Sequence, residues 1–282
     1  MKNLILVDGH SLLFRAYYAT AYKKKIIQNK NGEDVNALII FINMFKKILE
    51  QTEKNICVIF DSKGKTKKHI YYPDYKKKRL PTPIKLIPQI ELIQEYLKLS
   101  GIKYHLQNGY EADDIIGTLS KKASAENIPV LIFSSDRDFL QLIDKNIKIC
   151  LIKKGLKDVV CYDKNILFNE LNLKSSQIID FKSIVGDISD NIQGIPGVGP
   201  KTAIKLLNQF NNLENIFLNL NKIDNKIKEK FIIFKEKLFF NRFLVKIDTS
   251  VPLYFDYSQT IIQNIDYFLL NIFLKKHQPV KI

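Results

Sequence analysis

The chain has 282 residues, 46% of them hydrophobic, enough for one large domain or two modest ones. Lysine and arginine total 44 against 29 acids, a net charge of +15 that favours a polyanionic partner, nucleic acid before an acidic membrane surface. No apolar run reaches membrane-spanning length, the N-terminus lacks a signal-peptide pattern, and three cysteines without C-x-x-C spacing plus four histidines offer no zinc site.

In chain order, "NLILVD" ends at Asp8 and is a continuous apolar run of the buried-strand kind. Residues 35–51 have helical periodicity. "NICVIFD", ending at Asp61, is a second strand, and residues 88–101 form a second helix stopped by Gly101. "GYEADDIIGTLS" opens a helix with acids in its first turn and Ile115, Ile116 and Leu119 on its inward face. "IPVLIFSSD" is a third strand, ending at Asp136. Strands alternating with helices imply a parallel sheet, and open parallel sheets place their sites at the strands' carboxyl ends. Three aspartates should therefore meet at one edge. From about Leu171 the chain is helical and rich in Lys and Asn, with no clear strand until the tail, which sets a boundary near residues 165–175.

Three constellations carry chemistry. The first is nine carboxylates: Asp8, Asp61, Glu111, Asp113, Asp114, Asp136, Asp138, Asp187 and Asp190. Like charges crowded this way repel unless something positive sits among them. Oxygen ligands without His or Cys suit Mg²⁺ or Mn²⁺, and nine acids suit two or more ions about 4 Å apart acting on a phosphodiester. The second is "GIPGVGPKTA", where Gly194, Gly197 and Gly199 allow close backbone approach and Lys201 and Thr202 open a helix whose free N–H groups can hold phosphate. The third, residues 62–83, carries eight Lys or Arg and one acid, with Tyr71, Tyr72 and Tyr75 interleaved, a mixture suited to single-stranded nucleic acid. Only four arginines occur in the chain, so Arg79 after "YKKK", and less pointedly Arg15, read as forked grips on phosphate.

"LVDGHSLLFRAYYA", "FD" at 60–61, "YKKKRLPTP", "GYEADD", "SSDRDFLQL" and "GDISDNIQGIPGVGPKTA" resemble, in this order, the flap endonuclease family, which includes the 5′ nuclease domain of bacterial DNA polymerase I. The resemblance covers nearly the whole chain, which ends about where that domain would. It implies a PIN-like α/β parallel-sheet core over residues 1–170 with a basic arch at about 62–83. Residues 171–282 would form a helical region with a helix-three-turn-helix DNA-binding motif. It also implies Mg²⁺-dependent (or Mn²⁺-dependent) hydrolysis of DNA 5′ flaps, nicked ends and RNA primers, with water activated by two or more ions. The nine acids would hold those ions, and Arg15, Lys76 and Arg79 would contact the phosphates. Gly194, Gly197, Val198, Gly199, Lys201 and Thr202 would grip duplex, with K⁺ at the turn, and Lys67, Lys68 and Tyr75 would touch the strand at the arch. A monomeric cytoplasmic enzyme linked to a DNA polymerase is the expectation. The sequence departs from the family's habit in "TKKH" for T-F-R-H, in Arg137 for Lys and in Gln193 for Pro. A ribonuclease acting on single-stranded RNA and an inactive DNA-binding paralogue are the rivals; the turn and arch argue against the first, the full acid set against the second.

Overall fold

The computed structural model describes residues 3–21, 26–50, 55–153 and 158–280. From the N-terminus, β1 (Leu4–Asp8) leads into α1 (Gly9–Ala21) and α2 (Asn36–Leu49). Next come β2 (Asn55–Ile59), the short α3 (Lys67–Tyr71), α4 (Ile87–Leu99) and β3 (Lys103–His105). The first domain closes with α5 (Ala112–Ala125), β4 (Val130–Ser134), β5 (Ile147–Ile152) and β6 (Val159–Tyr162). After α6 (Lys164–Leu171) and α7 (Ile178–Val185), a hairpin of two-residue strands, β7 (Gly186–Asp187) and β8 (Ile192–Gln193), interrupts the helices. The remainder is α8 (Pro200–Phe210), α9 (Leu213–Leu218), α10 (Asn225–Ile233), α11 (Lys235–Val245) and α12 (Tyr267–Lys276). Among the described residues, no helix is long and apolar enough to cross a membrane.

The main sheet runs β3-β2-β1-β4-β5-β6, parallel except for the β5–β6 pair. Residues 4–7 of β1 have no exposed surface because helices cover both faces. Ile5 and Val7 join a core with α1, α2 and α4, while Leu4 and Leu6 join one with α5 and α7. That alternation is the two-residue period of a strand buried on both sides. The three expected strands and the parallel arrangement are present, as are the expected helices. Strands β3, β5 and β6 are additional, and so is the short β7–β8 hairpin, which falls in the stretch after Leu171 expected to hold no clear strand.

Beyond Val245 the chain does not stay with the helices before it. Asp248 donates its backbone N–H to Asp114 Oδ1 (2.8 Å), Gln263 pairs with Gly101 (2.8 Å), and Phe273 of α12 is buried in the core that holds Ile93 and Leu97 of α4. The stretch expected as a helical DNA-binding region up to residue 282 thus includes a return strap over the sheet domain. The antiparallel register of β5 and β6 sets Cys150 opposite Cys161 and they form a disulfide, leaving Cys57 free and buried.

The start of α2 is closed from outside the helix. Gln89, wholly buried, accepts from the N–H groups of Ala37 (2.7 Å) and Leu38 (3.2 Å) and donates to Asn36 Oδ1 (3.0 Å) and the Lys85 carbonyl (3.1 Å). Ends of helices leave such N–H groups without partners. Gln89→Leu keeps the volume but orphans buried donors and acceptors, so thermal unfolding should show a loss of roughly 3 kcal/mol; an unchanged Tm would mean that water replaces the side chain.

Candidate active site

Strand order determines where the acids meet. β1 lies between β2 and β4, so Asp8 at its end, Asp61 two residues past β2 and Asp136 two residues past β4 emerge at one carboxyl edge. The adjacent cleft, about 410 Å³, is lined by Asp8, Asp61, Glu111, Asp113, Asp136 and the basic Lys76 and Arg79, among others. The α5 N-terminus brings Glu111, Asp113 and Asp114, and the β7–β8 hairpin brings Asp187 and Asp190. Among the described residues, two groups can each converge oxygens within 4.8 Å of one another: Glu111, Asp113 and Asp114, and Asp138, Asp187 and Asp190.

Apart from Asp113, each acid is held by the backbone or by a cation. Asp8 accepts from the Ser11 N–H (3.0 Å) and the Ser134 hydroxyl (2.7 Å), and Asp61 accepts from the Ala112 N–H (2.8 Å). Lys76 meets Glu111 at 2.5 Å and Lys68 meets it at 3.4 Å; Arg79 meets Asp190 at 2.7 Å. Lys182 bridges the second group, pairing with Asp138 and with Asp187 (2.6 Å). Tyr75 donates its hydroxyl to both Glu111 and Asp190, at 3.1 Å each, and so links the two groups. Lys76 adopts a left-handed backbone (φ 58°) at a cost of about 1 kcal/mol. Its N–H donates to the Asp190 carbonyl (3.1 Å), so the turn carries its cation inward.

The electrostatics divide the acids. Burial, then the neighbouring Asp61, pushes Asp8 up to about 7. Burial likewise raises Asp113, Asp114 and Asp136. Burial would also raise Glu111, but Lys76 and Lys68 outweigh it and bring it down to about 2. Lys182 does the same for Asp187, also to about 2. Asp113 keeps one buried carboxylate oxygen, Oδ1, without a hydrogen-bond partner. Uncompensated hard oxygens in a buried acidic cluster fit a divalent cation.

Several expected residues lie elsewhere than the sequence suggested. Tyr75 is only 2% exposed, so it braces acids and presents no ring to a base. Lys68 is buried against Glu111 and Asp114, because α3 turns that side chain inward, while Lys67 is exposed over the Tyr110 ring. Arg15 does not line the acid cleft. Its guanidinium donates to the Lys153 carbonyl (2.6 Å) in a neighbouring cavity bounded by Phe14, Tyr18, Ile40 and Met44. Gly194, Gly197, Val198, Gly199, Lys201 and Thr202 form a separate turn leading into α8, with Val198 buried and Lys201 exposed. Gly197 has φ 72°, and a Cβ on Gly194 would lie 2.2 Å from the Val185 carbonyl carbon. A cavity of about 380 Å³ links this turn to Asp187 and Lys78. Sequence reasoning missed Lys182 and His10. His10 sits two residues past Asp8 within "LVDGH" and accepts from the Asp61 N–H (2.9 Å); burial lowers its pKa, consistent with a neutral ring.

Family models identify the chain's parts. The 5′-3′ exonuclease N-terminal resolvase-like domain matches residues 3–172, and the 5′-3′ exonuclease C-terminal SAM fold matches residues 173–267. The chain belongs to the 5′-3′ exonuclease family. A 5′-3′ exonuclease of Mycoplasma pneumoniae is 37% identical over 270 residues, covering 94% of this chain and 92% of that protein. DNA polymerase I of Bacillus subtilis is 38% identical over 254 residues, 89% of this chain but 28% of the polymerase, so the chain spans under a third of that relative. The fold matches bacteriophage T5 flap endonuclease in a pseudo-enzyme-product complex with DNA and metal ions. The TM-score is 0.68 at 23% identity, over 88% of this chain and 90% of that one.

Metal ions and protons should compete for this site. A carboxylate raised in the fold, such as Asp8, gives stability that is complete below about 4 and lost as pH rises toward about 7. Glu111 and Asp187, lowered to about 2, act oppositely: their contribution is complete above about 4.5 and is lost as pH falls toward about 2. A divalent cation binds the deprotonated set. Adding Mg²⁺ or Mn²⁺ should therefore raise Tm more at about pH 8 than at about pH 5; an equal rise at both would remove these acids from the ligand set.

Proposed function

We propose that the chain is a 5′-3′ exonuclease and flap endonuclease that hydrolyses phosphodiester bonds in DNA bearing 5′ flaps, nicks or RNA-primed ends. The observation that carries this is the convergence of two carboxylate groups at the switch point of a parallel sheet, with Lys76 and Arg79 on the rim of the same cleft. Asp8, Asp61, Asp136 and the two groups would hold Mg²⁺ or Mn²⁺. Bound there, such ions would supply water activation and charge neutralisation for an in-line displacement.

The chain's own residues do the rest. Arg79 is about half exposed and its guanidinium reaches only one carboxylate oxygen, so its fork can turn to a phosphate once Asp190 takes another partner. Lys76, on Glu111, is placed to do likewise. Tyr75 keeps Glu111 and Asp190 at fixed separation during that exchange. The glycine turn and the first N–H groups of α8, with Lys201 and Thr202 beside them, would hold duplex backbone away from the cut, with K⁺ as a candidate ion at the turn. In this reading the protein acts as a monomer in the cytoplasm beside a DNA polymerase.

A 5′-labelled flap DNA, the matching single strand and a single-stranded RNA, each incubated with Mg²⁺ and with EDTA, test the function. Mg²⁺-dependent cutting near the flap junction with little action on free RNA supports it, and preferential RNA cleavage overturns it. Asp136→Ala should abolish cutting while flap affinity stays within a few-fold. The variant also loses the carboxylate that accepts from the Asp138 N–H (2.8 Å), a cap worth about 1 kcal/mol, so a fall in stability of that size is expected. Arg79→Ala should slow turnover by roughly 10²-fold with little change in affinity; a loss confined to binding would make Arg79 a docking contact only.

A further inference from the structure

Outside the acid cleft, α3 and α11 build an aromatic surface that the chemistry above leaves unused. Tyr71 stands edge-on to Phe243 (ring centroids 5.3 Å apart), and Phe243 lies offset beside Phe240 at 6.4 Å with the rings nearly parallel. Tyr72 closes the row against Phe240 at 6.0 Å. These rings are open to solvent: Tyr71 is 65% exposed and Phe243 44%. A cavity of about 220 Å³ adjoins them, lined by Phe243, Tyr110, Lys67 and Lys246 and floored by Lys68 and Asp114 of the acid cluster.

Side chains on α3 divide between two faces. Lys68 points inward to Glu111, whereas Lys67 and Tyr71, one turn apart, point outward. The cations at the open rim, Lys67 and Lys246, are both exposed. Asp248 lines the same cavity and accepts from the Ser250 N–H (2.9 Å) and hydroxyl (2.6 Å). Exposed apolar rings bordered by lysines complement a polyanion that carries flat stackable faces, which is the chemistry of single-stranded nucleic acid.

We infer that the Tyr71–Phe243–Phe240 row, with Lys67 and Lys246, is a stacking platform for the unpaired 5′ strand beyond the point of cutting. The inference rests on the proposed flap substrate. It adds a surface contributed by α11, which belongs to neither the acid cleft nor the glycine turn. Because the platform lies on the outward side of α3 and lines none of the acid cleft, it acts on substrates long enough to pass around that helix and ignores shorter ones.

Binding measured in EDTA, where cutting stops, tests this with two DNA flaps: one of a single nucleotide and one of about 12 nucleotides. The parent protein should bind the long flap more tightly. Phe243→Ala should weaken the long flap roughly tenfold and leave the one-nucleotide flap within twofold, with cleavage of the latter unchanged in Mg²⁺. Tyr71→Ala should repeat the binding loss, and Phe243→Tyr should restore it. Both alanine variants remove exposed rings, and an unchanged Tm checks that they fold. Equal binding of the two flaps by the parent, or equal loss on both in the variants, overturns the platform. So does self-association of the parent on a sizing column that Phe243→Ala abolishes, since the surface then serves a second copy of the chain. A parent that binds as described but cuts neither flap in Mg²⁺ would refute the nuclease reading and leave the platform standing.

Discussion

Carboxylates buried within a few ångströms of one another repel, and the geometry of this molecule is arranged around that repulsion. Three lysines and an arginine are drawn inward to oppose it. Lys68 and Lys76 converge on Glu111, Lys182 lies between Asp138 and Asp187, and Arg79 meets Asp190. Burial works against the charge of Lys68, yet Asp113, Glu111 and Asp114 outweigh it and make it hold its proton more tightly. Asp8, Asp113 and Asp136 have no direct ion pair among the described residues, and burial pushes them up in pKa. The site is therefore held between two descriptions, one in which protons and side-chain ammonium groups balance the acids and one in which metal ions do.

This constraint explains features that look unrelated in isolation. The left-handed Lys76, the buried Tyr75 hydroxyl shared by two acids, and the Tyr72 hydroxyl donating to the Asn191 carbonyl (3.1 Å) all tie the basic segment to the hairpin that carries Asp187 and Asp190. The strap after α11 does the same for the other group, since the Asp248 N–H fixes the Asp114 carboxylate at the start of α5. Removing any of these ties would free one acid to move away from the rest, so the second domain and the strap belong to the site as much as the sheet does.

The basic segment consequently has two faces. Its inward face is occupied by acids and is part of the cleft; its outward face, shared with α11, is aromatic and bordered by lysines. A strand entering the cleft meets fixed charges, whereas one passing around α3 meets rings that tolerate any base.

Much of this was legible in the sequence. Continuous apolar runs ending in Asp8, Asp61 and Asp136 showed three buried strands, helical spacing showed the helices between them, and the absence of His and Cys among the acids limited the ion to a hard one. The nine acids and the glycine turn could be named from local pattern, because strand burial, helix starts and left-handed turns are decided by neighbouring residues. Tertiary structure alone decided the rest. The order β2-β1-β4 makes three separate aspartates neighbours, α3 turns Lys68 inward and Lys67 outward, Tyr75 is withdrawn from solvent, Arg15 is diverted to a backbone carbonyl, and Phe243 of α11 is brought beside Tyr71. Each depends on residues far apart in the chain, and the pairing of a basic side chain with an acid or a phosphate is settled by distance and burial, which local sequence does not encode.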